Sequence, residues 1–182
     1  ESLFQHSTGI ICTSGCMSSV FNRLLLDGKI DEAETKLLEF KQHFGERFFI
    51  EIQVHPAIAE LTELTKLQVK IARKLDIPLV ATNDTHYVER EDAEAQDAPL
   101  CVQTRKLISD TKRMSMIDSP DFYLRSSEEM KELFQEYPDA IANTLVIADM
   151  CDLTIPTGQL IFPKFPIPAG ETYASFLKKM AY

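Results

Sequence analysis

An α/β fold with parallel strands is what this 182-residue chain predicts. Three observations carry that reading. Apolar runs and amphipathic stretches alternate strand, helix, strand, helix, strand between Gly9 and Tyr87, an order that parallel strands with crossover helices satisfy. Hydrophobic residues make up 45% and charged residues 26%, the balance of a chain that can bury a core. No apolar run approaches membrane-spanning length, and the longest, around Leu24-Leu25-Leu26, falls far short.

The elements follow in order. Gly9 to Cys16 is a short apolar run closed by Ser14-Gly15, consistent with a buried strand. A helix is predicted from about Asp31 to His43, because Ile30, Ala33, Leu37, Phe40 and Phe44 step by three and four along one stripe. Asp31, Glu32 and Glu34 suit its amino end, and Gly45 stops it. From Phe48 to His55 the period is two: Phe48, Ile50, Ile52 and Val54 fall on one face, Phe49, Glu51, Gln53 and His55 on the other. A strand with helices packed on one side and a polar interior on the other would read this way; a half-exposed edge strand would read the same way and is the account favoured without further information. A second helix spans roughly Ala59 to Leu75, with Leu61, Leu64, Gln68, Ile71 and Leu75 inward, and Ile77-Pro78 closes it.

Leu79 to Tyr87 reads as a third strand ending in Asp84-Thr85-His86. Extended alternation would project Asp84 and His86 to one side, a pair able to hold a divalent metal or polarise water. The competing reading makes Asp84 a turn residue and His86 a half-buried loop residue. In folds of this class sites gather at the carboxyl ends of strands, where Cys16, His55, Asp84 and His86 all stand.

Past Tyr87 the pattern becomes helical and irregular. Glu89 to Gln103 is acidic and helical at its start, and Lys106 to Pro120 is polar. Arg105, Lys106, Lys112 and Arg113 form a small basic cluster read as a solvated loop. Ser126-x-x-Glu129 is a capping box before Met130, Leu133 and Phe134. Pro138 opens a helix with Ile141, Leu145 and Ala148 in register to about Met150. These two helices read as a small appendage. Four prolines, Pro156, Pro163, Pro166 and Pro168, mark an extended linker, and Glu171 begins a last helix. With no basic-then-apolar leader and a helical pattern still running at Tyr182, the sequence reads as an excerpt of a longer polypeptide.

A net charge of −9 disfavours a broad grip on phosphate backbones and suits a basic partner. The four cysteines lack zinc-finger or Cys-x-x-Cys spacing and fit a reducing compartment. Cys12, Cys101 and Cys151 read as small buried apolar residues.

Taken together, Thr13-Ser14-Gly15-Cys16-Met17, Phe44 through His55, Pro78 through Tyr87, Asp92 through Asp97, Leu100 through Thr104 and Phe122-Tyr123-Leu124 resemble the alpha subunits of bacterial DNA polymerase III, the family C replicative polymerases. The likeness runs on through Glu128-Glu129-Met130 and Asn143-Thr144-Leu145 to the proline-rich tail, so it covers nearly the whole chain. It implies that residues 1–102 are the C-terminal half of a PHP (polymerase and histidinol phosphatase) domain, a distorted β/α barrel with divalent metals at its strand-end mouth. Residues 103–155 would be a helical connector toward the polymerase core, and 156–182 a proline-rich linker and truncated helix.

The resemblance also implies that Asp84 and His86 are metal ligands, with His55 and Cys16 joining them and Glu51 a candidate additional pocket residue. The metals would be zinc, manganese or iron there, and magnesium at a palm site outside this chain. No catalytic residue is expected here, because the palm aspartates and the first barrel strands lie elsewhere. The parent would be a DNA-directed DNA polymerase in DNA replication, cytoplasmic and not membrane-bound. Its partners would be DNA, deoxynucleoside triphosphates, a proofreading exonuclease and a sliding clamp. Arg105 stands where the family has a glycine. Two other readings stay open: a free-standing PHP-family metal-dependent phosphoesterase, and a non-enzymatic docking domain for a proofreading exonuclease.

Overall fold

Three parallel strands, β1 (Cys12–Thr13), β2 (Phe48–Gln53) and β3 (Leu79–Thr82), stand in the order β1-β2-β3 in the computed structural model, which describes residues 2–182. Cys12 pairs with Phe48, and Ile50 through Gln53 pair in register with Leu79 through Thr82. The helices are α1 (Ser2–Gln5), α2 (Val20–Leu26), α3 (Ile30–Phe44), α4 (Ala59–Leu75), α5 (Ala93–Thr104), α6 (Ser127–Leu133), α7 (Pro138–Met150) and α8 (Tyr173–Ala181). The strand-helix alternation up to β3 is the predicted one.

Three expectations need correction. β2 is the central strand, and five of its six residues are buried, so the edge-strand account of its alternation does not hold. Glu51 is polar because it faces a strand-end pocket, not bulk solvent. β1 is only two residues long, shorter than the Gly9–Cys16 run, because the chain leaves the sheet at Ser14 and turns at Gly15 (φ +75°). β3 ends at Thr82. Asp84 then adopts φ +52°, a left-handed conformation that Asp tolerates, so extended alternation does not reach His86.

The core lies between the sheet and α2, α3 and α4. Phe44, Phe48, Ile50, Ile52, Leu37, Leu64 and Leu79 are almost completely excluded from solvent. Phe21 and Phe40 meet edge-on at 4.8 Å between ring centres, and Phe4 meets Phe40 likewise at 5.0 Å, the arrangement aromatic quadrupoles favour. Helix α2 was not foreseen. Ser19 caps it by accepting a hydrogen bond from the Asn22 amide.

Helices α6 and α7 belong to the same compact unit as the sheet, which reaches Cys151. They are no appendage: Phe134 and Ala140 are fully buried in the main core. Asn143 Nδ2 donates to the Leu79 carbonyl at 2.7 Å, so α7 satisfies a backbone acceptor of β3. Its inner residues are Ala140, Ile141, Asn143 and Ile147, whereas Leu145 and Ala148 are exposed, a rotation from the predicted stripe. The Ser126–Glu129 capping box forms as predicted. The second unit, Asp152–Tyr182, is extended through its prolines and ends in α8, capped reciprocally by Thr172 and Ser175. None of the helices is long and apolar enough to cross a membrane.

Candidate functional site

Glu51 sits on β2 with a threonine beside it on each neighbouring strand. Thr13 Oγ1 donates to Glu51 Oε2 at 2.7 Å, and Thr82 Oγ1 donates to Glu51 Oε1 at 2.6 Å. Gln53 Nε2 adds a bond to Oε1 at 3.1 Å. The parallel register makes this possible: Thr13 lies opposite Phe49 and Thr82 opposite Gln53, two residues to either side of Glu51 on the same face of β2.

Behind Glu51 runs a buried amide network. Gln68 Nε2 on α4 donates to the Glu51 carbonyl (2.8 Å) and to Asn22 Oδ1 (3.0 Å). Asn22 Nδ2 in turn donates to the carbonyls of Gly15 and Cys16 at 3.0 and 2.9 Å. Buried amides are stable when fully engaged, and these fix the turn that carries Cys16. Cys16, Glu51, Gln53 and Gln68 line one small crevice, and Cys16 Sγ lies 3.1 Å from Ser18 Oγ. Sequence reading passed over Asn22. Its signal was Ser19 before an apolar run that stops at Gly28.

The second group forms around the turn after β3. His86 Nε2 lies 3.4 Å from Asp84 Oδ1, so the two candidates are adjacent even though the backbone is not extended. A segment about forty residues later straps this turn in place. The His86 amide donates to the Phe122 carbonyl at 2.8 Å, Asn83 Nδ2 to the Tyr123 carbonyl at 2.6 Å, and the Leu124 amide to the Val88 carbonyl at 3.1 Å.

His55 is 1% exposed, and neither ring nitrogen has a hydrogen-bond partner. Its imidazole stacks on Phe122 at 4.3 Å between ring centres, and His86 meets the same phenyl ring nearly perpendicularly at 5.6 Å. Burial pushes the His55 pKa below its ordinary value, and Arg125 adds to the shift, while Asp84 and Asp121 oppose it. Burial thus disfavours the charged form of His55.

Around Phe122 the charges are organised. Asp121 Oδ1 receives Arg90 and Arg125, each at 3.3 Å, and both guanidinium groups lie over the Tyr123 ring. Tyr123 donates from its hydroxyl to Glu129 at 2.6 Å. Of the basic cluster, Arg113 is not free: it forks onto Asp97 with two contacts of 2.6 Å. Cys151 is exposed, unlike the buried Cys101.

A protein metal site needs about three or four converging donors. Among the described residues no three His, Cys, Asp or Glu side chains converge in that way. Asp84 and His86 supply two, the Phe122 ring packs against both imidazoles, and Cys16 lies with Glu51 along the other crevice. As placed, the side chains of this segment do not complete a metal site.

Comparison with known proteins adds the wider setting. Residues 1–55 match the family described as PHP domain. The DNA polymerase III subunit alpha of Borreliella burgdorferi is 41% identical over 99% of this chain, and that of Treponema pallidum is 41% identical over 92%. The Thermus aquaticus subunit is 36% identical over the full chain. This chain spans 16%, 14% and 15% of those three relatives, a small segment of a much longer protein.

Proposed function

We propose that this chain is a segment of a DNA polymerase III alpha subunit, like the relatives it matches, and that it is the part of a DNA-directed DNA polymerase that carries the second half of a PHP domain and the start of the polymerase region. The observation carrying this is similarity that continues through the helices and proline-rich tail, beyond residue 55 where the PHP match stops. A free-standing phosphoesterase has no use for that continuation.

In this role residues 1–102 complete the PHP barrel, residues 103–155 connect it to the polymerase core, and residues 156–182 link onward. Asp84 and His86, with His55, Cys16 and Glu51, are the segment's contribution to a divalent-metal pocket whose other donors lie in the first half of the barrel. The adjacency of Asp84 and His86 and the unpartnered nitrogens of His55 support that assignment. A metal held there would supply Lewis acidity and a low-pKa water. The chain's own part is to position it: the threonines fix Glu51, and the 121–124 strap fixes the Asp84–His86 turn. DNA and deoxynucleoside triphosphates are handled by domains outside the segment. The other partners are replisome proteins such as a proofreading exonuclease and a sliding clamp, in the cytoplasm.

The test compares the full-length polymerase with its Asp84→Ala/His86→Ala variant for metal content, primer extension and phosphoester hydrolysis. The expected result is metal and hydrolysis lost while extension persists. Absence of metal from both proteins, with extension intact, overturns the metal-pocket assignment and leaves a scaffold.

A further inference from the structure

Just past the end of β2, between the amino-terminal half of α4 and the turn that joins α6 to α7, lies a groove of about 530 Å³. That volume accommodates a few side chains. Val54, Leu133 and Tyr137 line it. Each is half-buried and rests its inner side on the main core, so the groove has an apolar surface on a rigid support.

The charges around it are one-sided. Glu129, Glu132 and Glu136 line the same groove, and among the described residues none of them makes an ion pair. Glu129 and Glu132 stand three residues apart on α6 and so share a face, and Glu136 follows in the turn. The Tyr123 hydroxyl and then Ser126 hold the Glu129 carboxyl at about 2, which keeps its charge at neutral pH. Two cations also border the groove, and both are engaged. Lys66 Nζ bonds Glu63 at 2.7 Å, and Arg125, its side chain only 6% exposed, pairs with Asp121 at 3.3 Å. What remains unpaired is negative charge beside apolar surface. A free anion would meet three carboxylates there and be repelled. The net charge of −9 draws a basic partner from a distance, and the groove offers it a place to sit.

We propose that this groove docks a basic segment of a partner protein: an aromatic side chain of the partner enters against Val54, Leu133 and Tyr137, and a lysine or arginine beside it pairs with Glu132 and Glu136. The buried aromatic supplies affinity, and the acidic wall supplies selection and encounter rate. None of these residues belongs to the metal-pocket assignment, so either reading can fail while the other stands.

The test uses the full-length polymerase and short fluorescein-labelled glycine–serine peptides, with binding read by fluorescence anisotropy. One peptide carries a phenylalanine followed by lysines, a second the same phenylalanine followed by glutamates, and a third the lysines alone. The first should bind best, and its affinity should fall with added salt. Glu132→Gln/Glu136→Gln should weaken it about fivefold and flatten the salt dependence. Thr62→Trp, an exposed substitution on the groove wall, should block the phenylalanine peptide by filling the space. Glu91→Gln/Glu94→Gln removes the same charge from an exposed site outside the groove and should leave binding unchanged. Thermal melts of each variant separate loss of the groove from loss of the fold. Equal weakening in the Glu91/Glu94 variant would overturn the proposal, because bulk charge alone would then explain the attraction. Tighter binding of the glutamate peptide, equal binding of the lysine peptide without phenylalanine, or no binding of any peptide would overturn it as well.

Discussion

A carboxylate gripped by hydroxyls from two different strands has little freedom, and Glu51 is gripped by Thr13 and Thr82. Hydrogen bonds to a charged group contribute about 1.5–3 kcal/mol, so Thr82→Val should lower unfolding free energy by about 2 kcal/mol in urea titrations. Adding Thr13→Val should give a non-additive loss, because both hydroxyls act on one carboxylate. Strict additivity would mean that Glu51 does not couple β1 to β3. Glu129 makes a pH prediction. Its carboxyl is held at about 2, below the ordinary 4.5, by the Tyr123 hydroxyl first and then by the Ser126 amide and hydroxyl. A depressed carboxylate contributes stability that is present above pH 4.5 and fades as pH falls toward 2. Glu129→Gln should therefore flatten the acid side of the thermal-midpoint profile between those values. An unchanged profile would show that other carboxylates dominate there.

Among the elements, α5 ends on Arg105 at φ +55°, where a residue with a Cβ is strained and a glycine is not. Arg105→Gly should stabilise the chain by about 1 kcal/mol and raise its thermal midpoint, whereas Arg105→Ala should not. A fall in midpoint for the glycine variant would argue that the Arg105 side chain matters more than its backbone. The same residue shows what sequence can and cannot reveal. Helices α3 and α4 were legible because Ala33, Leu37, Leu61, Leu64 and Ile71 repeat at helical spacing and face the core. The α6 cap was legible because Ser126 and Glu129 interact locally. Helix α2 was missed, since seven residues give too little periodicity to register. The central place of β2 was hidden too, because Glu51 and Gln53 look solvent-facing until the register puts Thr13 and Thr82 beside them. Asp84 and His86 stood out as a pair, yet Phe122, which packs on His55 and His86, is far from all of them in sequence.

At the level of the whole molecule, exposed apolar side chains concentrate in the second unit: Leu153, Ile155, Leu160, Ile161 and Phe162 are all at least 72% exposed. A run of exposed apolar side chains of this density favours association with another surface. The isolated chain should therefore self-associate in sedimentation velocity as concentration rises, and Leu160→Asp/Phe162→Asp should suppress that. A monomeric species with a cooperative melt across the concentration range would refute it. The strap across the Asp84–His86 turn bears on time as well as space. Asn83 and its acceptor at Tyr123 are 40 residues apart, so at a translation speed of roughly 5–20 residues per second the turn leaves the ribosome some 2–8 s before the strand that fastens it. The sheet can assemble during that interval, but the pocket cannot, and a series of ribosome-stalled nascent chains should show protease protection at Asp84 only once Tyr123 and Leu124 have emerged from the exit tunnel.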